Sequence, residues 1–166
     1  LKSQDEIHAF FDTHAGKEFI GFSHYDGLAE EIERKMRWHP FPKSFKKNSR
    51  CSFTSILRSA CCKIQSMMRI SRAKGKELRK GTQWVSVTDN FARYMITKKR
   101  EMRKLFTHSF CSDEMVMQTL CWNSPFRAHI FDEGNEAKGY MRAIGWRDGV
   151  LYPWTMNDYD SLMQSG

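Results

Sequence analysis

The run from Lys80 to Phe126 passes from the period of a strand to that of two successive helices, and it constrains the fold more than any other. Gln83 to Val87 alternates as a strand does. Thr88 stands as an N-cap ahead of Phe91, Ala92 and Met95, which share one helical face, and Lys98 to Lys104 continues the helix with heavy charge. Ser112 then caps a second helix reaching about Trp122, and Asn123-Ser124-Pro125 stops it. Asp113 and Glu114 open that second helix, so the run carries a carboxylate pair beside a strand bearing Trp84.

The flanks extend the alternation. Ser3-x-x-Glu6 reads as a capping box, each side chain satisfying a backbone N–H at the other residue, and Ile7, Phe10 and Phe11 place a helix over about Gln4 to Asp12. Gly16 ends it, and Lys17 to Phe22 reads as a strand, which together suggest an α/β unit. Glu30 to Arg37 is dense in charge and is expected at the surface. His39-Pro40-Phe41-Pro42 forbids helix. His129 to Phe131 and Arg142 to Trp146 are further strands, with a turn at Glu133-Gly134-Asn135. Thr155 caps a last helix with Met156, Tyr159, Leu162 and Met163 on one side. At 166 residues and 40% hydrophobic content, one domain spanning 1–166 can bury a core.

Charge is concentrated. The net charge is +8, yet Lys43 to Lys80 holds twelve Lys/Arg against the single acid Glu77, a local +11 that leaves −3 for the remainder. Inside it, Phe53, Ile56, Leu57, Ala60, Cys61, Ile64, Met67 and Met68 keep helical spacing, giving an amphipathic helix followed by a basic loop, Arg72 to Lys80, around Gly75. Three readings stand for this basic insertion. The helix packs on the core with its charges solvated, or it docks on an anionic membrane surface, or it binds nucleic acid. The first is favoured because amphipathic helices usually serve cores, and no nucleic-acid motif accompanies the third.

Several chemistries find no support. The five cysteines, Cys51, Cys61, Cys62, Cys111 and Cys121, are odd in number and lack a C-x-x-C pair, so reduced thiols in a reducing compartment are expected. The six histidines form no metal-ligand spacing, and there is no phosphate-binding glycine loop and no G-x-S-x-G elbow. Asp158-Tyr159-Asp160 has a D-x-D form, but in the first turn of a helix its carboxylates diverge, and a cap role explains it better. Asp113 and Glu114, taken alone, read as acids complementing a helix dipole; the same position suits a general base kept ionised. Trp84, Trp146 and Trp154 read either as core aromatics or as platforms for the apolar face of a sugar.

Read in order, these pieces resemble the C-terminal half of the core-2/I-branching β-1,6-N-acetylglucosaminyltransferases, the family that includes peptide O-xylosyltransferases. Leu1-Lys2-Ser3, Glu33-Arg34, Lys80-Gly81-Thr82-Gln83-Trp84, Ser112-Asp113-Glu114, Asn123-Ser124-Pro125-Phe126 and Arg142-Ala143-Ile144-Gly145-Trp146 each resemble a family segment, and Thr82 stands where Ser is usual.

The resemblance implies an α/β fold of GT-A type, a mixed sheet flanked by helices, with this chain supplying its acceptor side. It implies an inverting transferase with a UDP-sugar donor, a glycan hydroxyl acceptor and no metal or other cofactor. N-acetylglucosamine is the expected sugar, with xylose the alternative. Glu114 matches the catalytic base, Glu33, Arg34 and Trp146 match acceptor contacts, and Asp113 and Trp84 join the wall of the site. Family chains begin before Leu1, and a segment with a diphosphate-contacting Lys would fall after Gly166, so this piece alone is expected to bind UDP-sugar poorly. No nucleic-acid partner is expected. A cytoplasmic place is expected, peripheral at the inner membrane face and in polysaccharide synthesis; for a eukaryotic homologue it is the Golgi lumen.

Overall fold

The computed structural model describes residues 3–36, 53–68, 73, 75–148 and 150–164. The His39-Pro42 breaker, Cys51, Leu1-Lys2 and the start of the basic loop at Arg72 lie outside them. The chain opens on α1 (Gln4–Thr13), started by the Ser3/Glu6 capping box, with the Ser3 N–H donating to Glu6 Oε2 at 2.8 Å. Phe10 carries α1 onto Phe19 and Phe131 through ring contacts at 5.9 and 5.8 Å. Gly16, at φ +83°, takes the left-handed turn that ends the unit.

The extended segment from Glu18 to Phe22 is the middle of the molecule. Phe19 and Ser86 exchange both backbone hydrogen bonds as an antiparallel bridge. On the other side Glu18 donates to His129 and accepts from Phe131, bridging Ile130 in parallel. The expected strands at 17–22, 83–87 and 129–131 therefore do lie side by side, but as isolated bridges and not as a ladder. Side-chain insertion explains the interruption. Gln118, wholly buried on a later helix, donates from Nε2 to the Thr82 carbonyl at 2.7 Å and toward the Gly21 carbonyl at 3.4 Å, at positions where a ladder would continue. Gly21, Gly81 and Gly139 crowd together at the same place: a Cβ on Gly81 would stand 2.0 Å from the Gly21 oxygen.

Helices pack over this centre. Sequence reasoning assigned 30–37 to a charged surface, whereas Leu28–Met36 forms a helix, α2, with Ile32, Lys35 and Met36 buried. Apolar residues at 28, 32 and 36 recur every four positions, a stripe that the density of charge conceals. Beyond α3 (Phe53–Met67), α4 (Asp89–Phe106) starts at Thr88, whose hydroxyl accepts from the Phe91 N–H at 3.1 Å. That hydroxyl also donates to the wholly buried Glu18 at 2.6 Å, so the carboxylate is satisfied by a helix cap. One core cluster of Ile20, Phe22, Ile32, Phe91, Met102, Phe106, Met115 and Leu120 joins α2, α4 and α5 (Val116–Trp122) to the centre.

The helix α3 forms as its pattern predicts, but core packing of its apolar stripe is not found: Ile56, Leu57, Ile64, Met67 and Met68 are exposed. After α5, Ser124 caps a 3-10 turn at Pro125–His129, and Asn135, the last residue of the expected turn, caps α6 (Glu136–Tyr140), a helix the sequence pattern does not announce. The strand expected over 142–146 is displaced to β1 (Gly145–Arg147), paired antiparallel with β2 (Val150–Tyr152), Trp146 facing Leu151 across the pair. Asp148-Gly149 is a hairpin signal, and Asp148 takes φ +52° there. Thr155 and Asp158 form a second capping box before α7 (Tyr159–Gln164). The described residues thus form a helix-rich α/β arrangement whose one paired sheet is this hairpin.

Candidate active site

Glu114 reaches its place by a tight reversal after α4. His108 and Cys111 both take positive φ, and Ser112–Glu114 forms a single 3-10 turn. Ser112 therefore does not cap a helix; it lies inside the turn, and α5 begins only at Val116. The Gly81 N–H donates to the Glu114 carbonyl at 2.9 Å, tying the turn to the centre of the fold. The partners of the Glu114 carboxylate are ammonium groups, not a helix end. Lys35 Nζ lies 2.5 Å from Glu114 Oε2, and Lys80 Nζ lies 3.7 Å from the same oxygen.

Glu31 completes the cluster. It sits one helical turn before Lys35, 2.9 Å from its Nζ and 3.6 Å from that of Lys80, and its Oε2 accepts from the Tyr25 hydroxyl. The Tyr25 hydrogen bond above all, then Lys35 and Lys80, hold the Glu31 carboxyl down to about 2. Burial works against the charge on Lys35, but hydrogen bonds to Glu114 and Glu31 outweigh it and raise its pKa. Burial likewise opposes Lys80, and Tyr25 and Glu114 return it upward. Burial and the Glu31 bond raise Tyr25. The result is two carboxylates held by two lysines.

Tyr25, Lys80 and Glu114 of this cluster line a cavity of about 520 Å³. Its walls bring together Asp113, Glu114, Trp84 and Trp146 from separate parts of the sequence, with Ser23, Thr82, Tyr140 and Leu151 between them. Trp84 is 40% exposed and Trp146 65%, so both indoles present open faces. Glu136 lines the cavity too, accepting from the Ser23 hydroxyl at 3.0 Å and the Thr82 N–H at 3.2 Å. Trp154 stays outside it, its indole donating to the Ala143 carbonyl and packing on Gly145.

Glu33 and Arg34 are placed elsewhere. Successive helix residues turn by about 100°, and the two point off the face that carries Glu31 and Lys35. Glu33 lines a neighbouring cavity of about 640 Å³ that shares Tyr25, and Arg34 is on the exposed face of α2. Sequence reasoning missed Tyr25, Glu31, Lys35 and Glu136. The i, i+4 spacing of Glu31 and Lys35 was the one available signal; nothing local marks Tyr25 or Glu136.

Among the described residues no group of three or more His, Cys, Asp or Glu is placed to hold a metal ion. Asp158 of the D-x-D accepts from the Thr155 N–H and hydroxyl at 2.9 and 2.8 Å and from the Tyr152 hydroxyl at 3.1 Å, so it is a cap. These bonds, Thr155 first, lower its pKa. Cys61, Cys111 and Cys121 are free thiols, and burial pushes Cys121 up to about 12. The arrangement offers a carboxylate that can take a proton, two cations beside it, and two indole faces with polar groups between them.

A family model described as Core-2/I-Branching enzyme matches residues 1–159. No curated protein and no solved structure matches the chain.

Proposed function

The chain belongs to the Core-2/I-Branching enzyme family, whose reaction class is glycosyl transfer, and from that premise we propose an inverting transferase of GT-A type that uses Glu114 as general base. The donor is a UDP-sugar, N-acetylglucosamine in the first instance, and the acceptor is a glycan hydroxyl. Trp84 and Trp146 face the apolar side of the acceptor ring, while Asp113 and Glu114 meet its hydroxyls. Glu33 and Arg34 contact the acceptor beyond the reacting sugar. No metal takes part, as the resemblance implies.

The observation that supports this reading best is Glu114 within a cavity walled by two open indoles. In the step, the acceptor oxygen attacks the anomeric carbon as its proton passes to Glu114. The bond to the UDP oxygen breaks on the opposite face, and the electron pair leaves with the diphosphate. Glu31 matters to the energetics. When Glu114 is protonated, Lys35 keeps a carboxylate at 2.9 Å, so its charge is not stranded.

Release of UDP from a panel of UDP-sugars, each offered with and without glycan acceptors, tests the reading. Acceptor-dependent release from UDP-N-acetylglucosamine is expected. Release from UDP-xylose alone would move the donor assignment, and no acceptor-dependent release from any UDP-sugar by a protein containing this chain would overturn the reading.

A further inference from the structure

Five apolar side chains of α3 and its C-terminal end are open to solvent: Ile56 is 61% exposed, Ile64 55% and Met67 84%, with Leu57 and Met68 beside them. The charged residues of the sequence flanking the helix are all basic. From Lys43 to Lys74 the sequence holds nine Lys/Arg and no Asp or Glu, with Lys63 on the helix itself at the edge of the stripe. An apolar face inside a +9 segment matches a surface that is apolar within and anionic at its rim. We propose that α3 docks on an anionic lipid surface, lying in the headgroup plane with its stripe toward the acyl chains.

Other occupants fit less well. A second copy would bring two +9 segments together. The chain's own apolar cavity along α4 and α5, lined by Met95, Met102, Phe106 and Leu120, is rimmed by Lys99 and Arg103, which repel the same basic segment. Nucleic acid would satisfy the charge and leave the stripe in water. No helix of the described residues is long and apolar enough to cross a membrane, which agrees with a helix that lies on one.

The segment's attachment gives docking a position in the molecule. It departs at Met36, next to Lys35, whose carbonyl accepts from the Phe110 N–H at 2.9 Å. It returns through Lys76, paired with Glu101 of α4 at 2.7 Å, to Lys80. The lipid-binding segment thus joins the body on both sides of the Glu31–Lys35–Glu114–Lys80 cluster.

Vesicle co-sedimentation of the whole chain tests this independently of any transferase assay. Binding is expected to phosphatidylcholine vesicles doped with phosphatidylglycerol and not to phosphatidylcholine alone, with release at high salt. Paired Ile56→Asp and Ile64→Asp substitutions are expected to lower partitioning on the order of tenfold or more while circular dichroism and melting stay unchanged. Absence of binding to the anionic vesicles would overturn the proposal. So would undiminished binding by the paired variant, a lowered melting point that returns the stripe to the core, or salt-sensitive binding to single-stranded RNA with vesicles ignored.

Discussion

Lys35 Nζ stands 2.5 Å from Glu114 Oε2 although 79 residues separate them in sequence. The contact joins the inner face of α2 to the reversal after α4, and Lys80 approaches the same oxygen from a third segment. A carboxylate serving only a helix end would not gather two lysines, one of them buried, from separate elements. The Glu114 side chain is 36% exposed, so its ion pairs are partly screened and an acceptor can reach it.

Glu114→Gln is therefore expected to separate function from stability. Lys35 keeps Glu31, so unfolding free energy falls by no more than about 1 kcal/mol. Turnover drops about 10²–10⁴-fold, the range for loss of a general base. UDP release and denaturant unfolding on the same preparation check both halves; unchanged turnover would remove Glu114 from the chemistry.

The cluster also sets how stability responds to pH. Glu31 titrates near 2 when folded against an ordinary 4.5, so its contribution is whole above 4.5 and is lost as pH falls toward 2. Lys35 and Lys80 are raised above 10.5, so theirs is whole below 10.5 and is lost as pH climbs past it. Melting temperatures of Glu31→Gln are expected to fall less steeply than wild type between pH 4.5 and 2. Tyr25→Phe, which removes the largest cause of the Glu31 shift, should lie between the two. Identical acid limbs in all three proteins would contradict the assignment.

What the sequence makes legible here is local. Ser3, Thr88 and Thr155 announce their helices because a cap and the N–H it satisfies lie three residues apart. The extended segments near 18, 86 and 130 are readable from local pattern, yet their failure to form a ladder depends on Gln118, a residue from another element. The same limit governs the site. Trp84, Asp113, Glu114 and Trp146 carry recognisable surroundings, and the structure gathers them. Glu33 and Arg34 come from a weaker local likeness, while Glu31 and Lys35, beside them in sequence, meet Glu114 only through the packing of α2. Charge density hid that helix's buried stripe, and uniform apolar spacing in α3 suggested core burial, whereas Ile56, Leu57, Ile64, Met67 and Met68 are exposed.

Each of the two indoles should affect acceptor binding. Trp146 is 65% exposed, so Trp146→Ala is expected to change stability by about 0.5 kcal/mol or less, whereas Trp84 is 40% exposed and Trp84→Ala is expected to cost about 1–3 kcal/mol of packing. Each should raise the acceptor KM about tenfold, in line with about 1.5 kcal/mol of lost aromatic packing, and Phe at either position should recover part of it. Acceptor titration at saturating donor separates this from an effect on kcat. An unchanged KM in both variants would show that sugar does not lie against these faces.

Gly81 links the fold to the Glu114 turn, which makes it a sharper test of the architecture than any core residue. Its missing side chain lets the 80–82 segment lie against Gly21, and from there its N–H holds the Glu114 carbonyl at 2.9 Å. A Cβ at this position would meet the Gly21 oxygen at 2.0 Å, a backbone atom that cannot rotate away. Gly81→Ala must move one segment from the other, costing about 1–3 kcal/mol as overpacking does. It also shifts Lys80 and the turn carrying Glu114 relative to each other. Turnover under conditions where the variant remains folded should consequently fall as well, because misplacement by about 1 Å can cost about 10²-fold. Gly134→Ala is the control: its nearest neighbour, an Asp132 oxygen, would lie 3.8 Å from the new carbon, and neither stability nor turnover should change appreciably. If Gly81→Ala instead behaves like Gly134→Ala, the close approach of the two segments is wrong, and with it the route by which the fold positions Glu114.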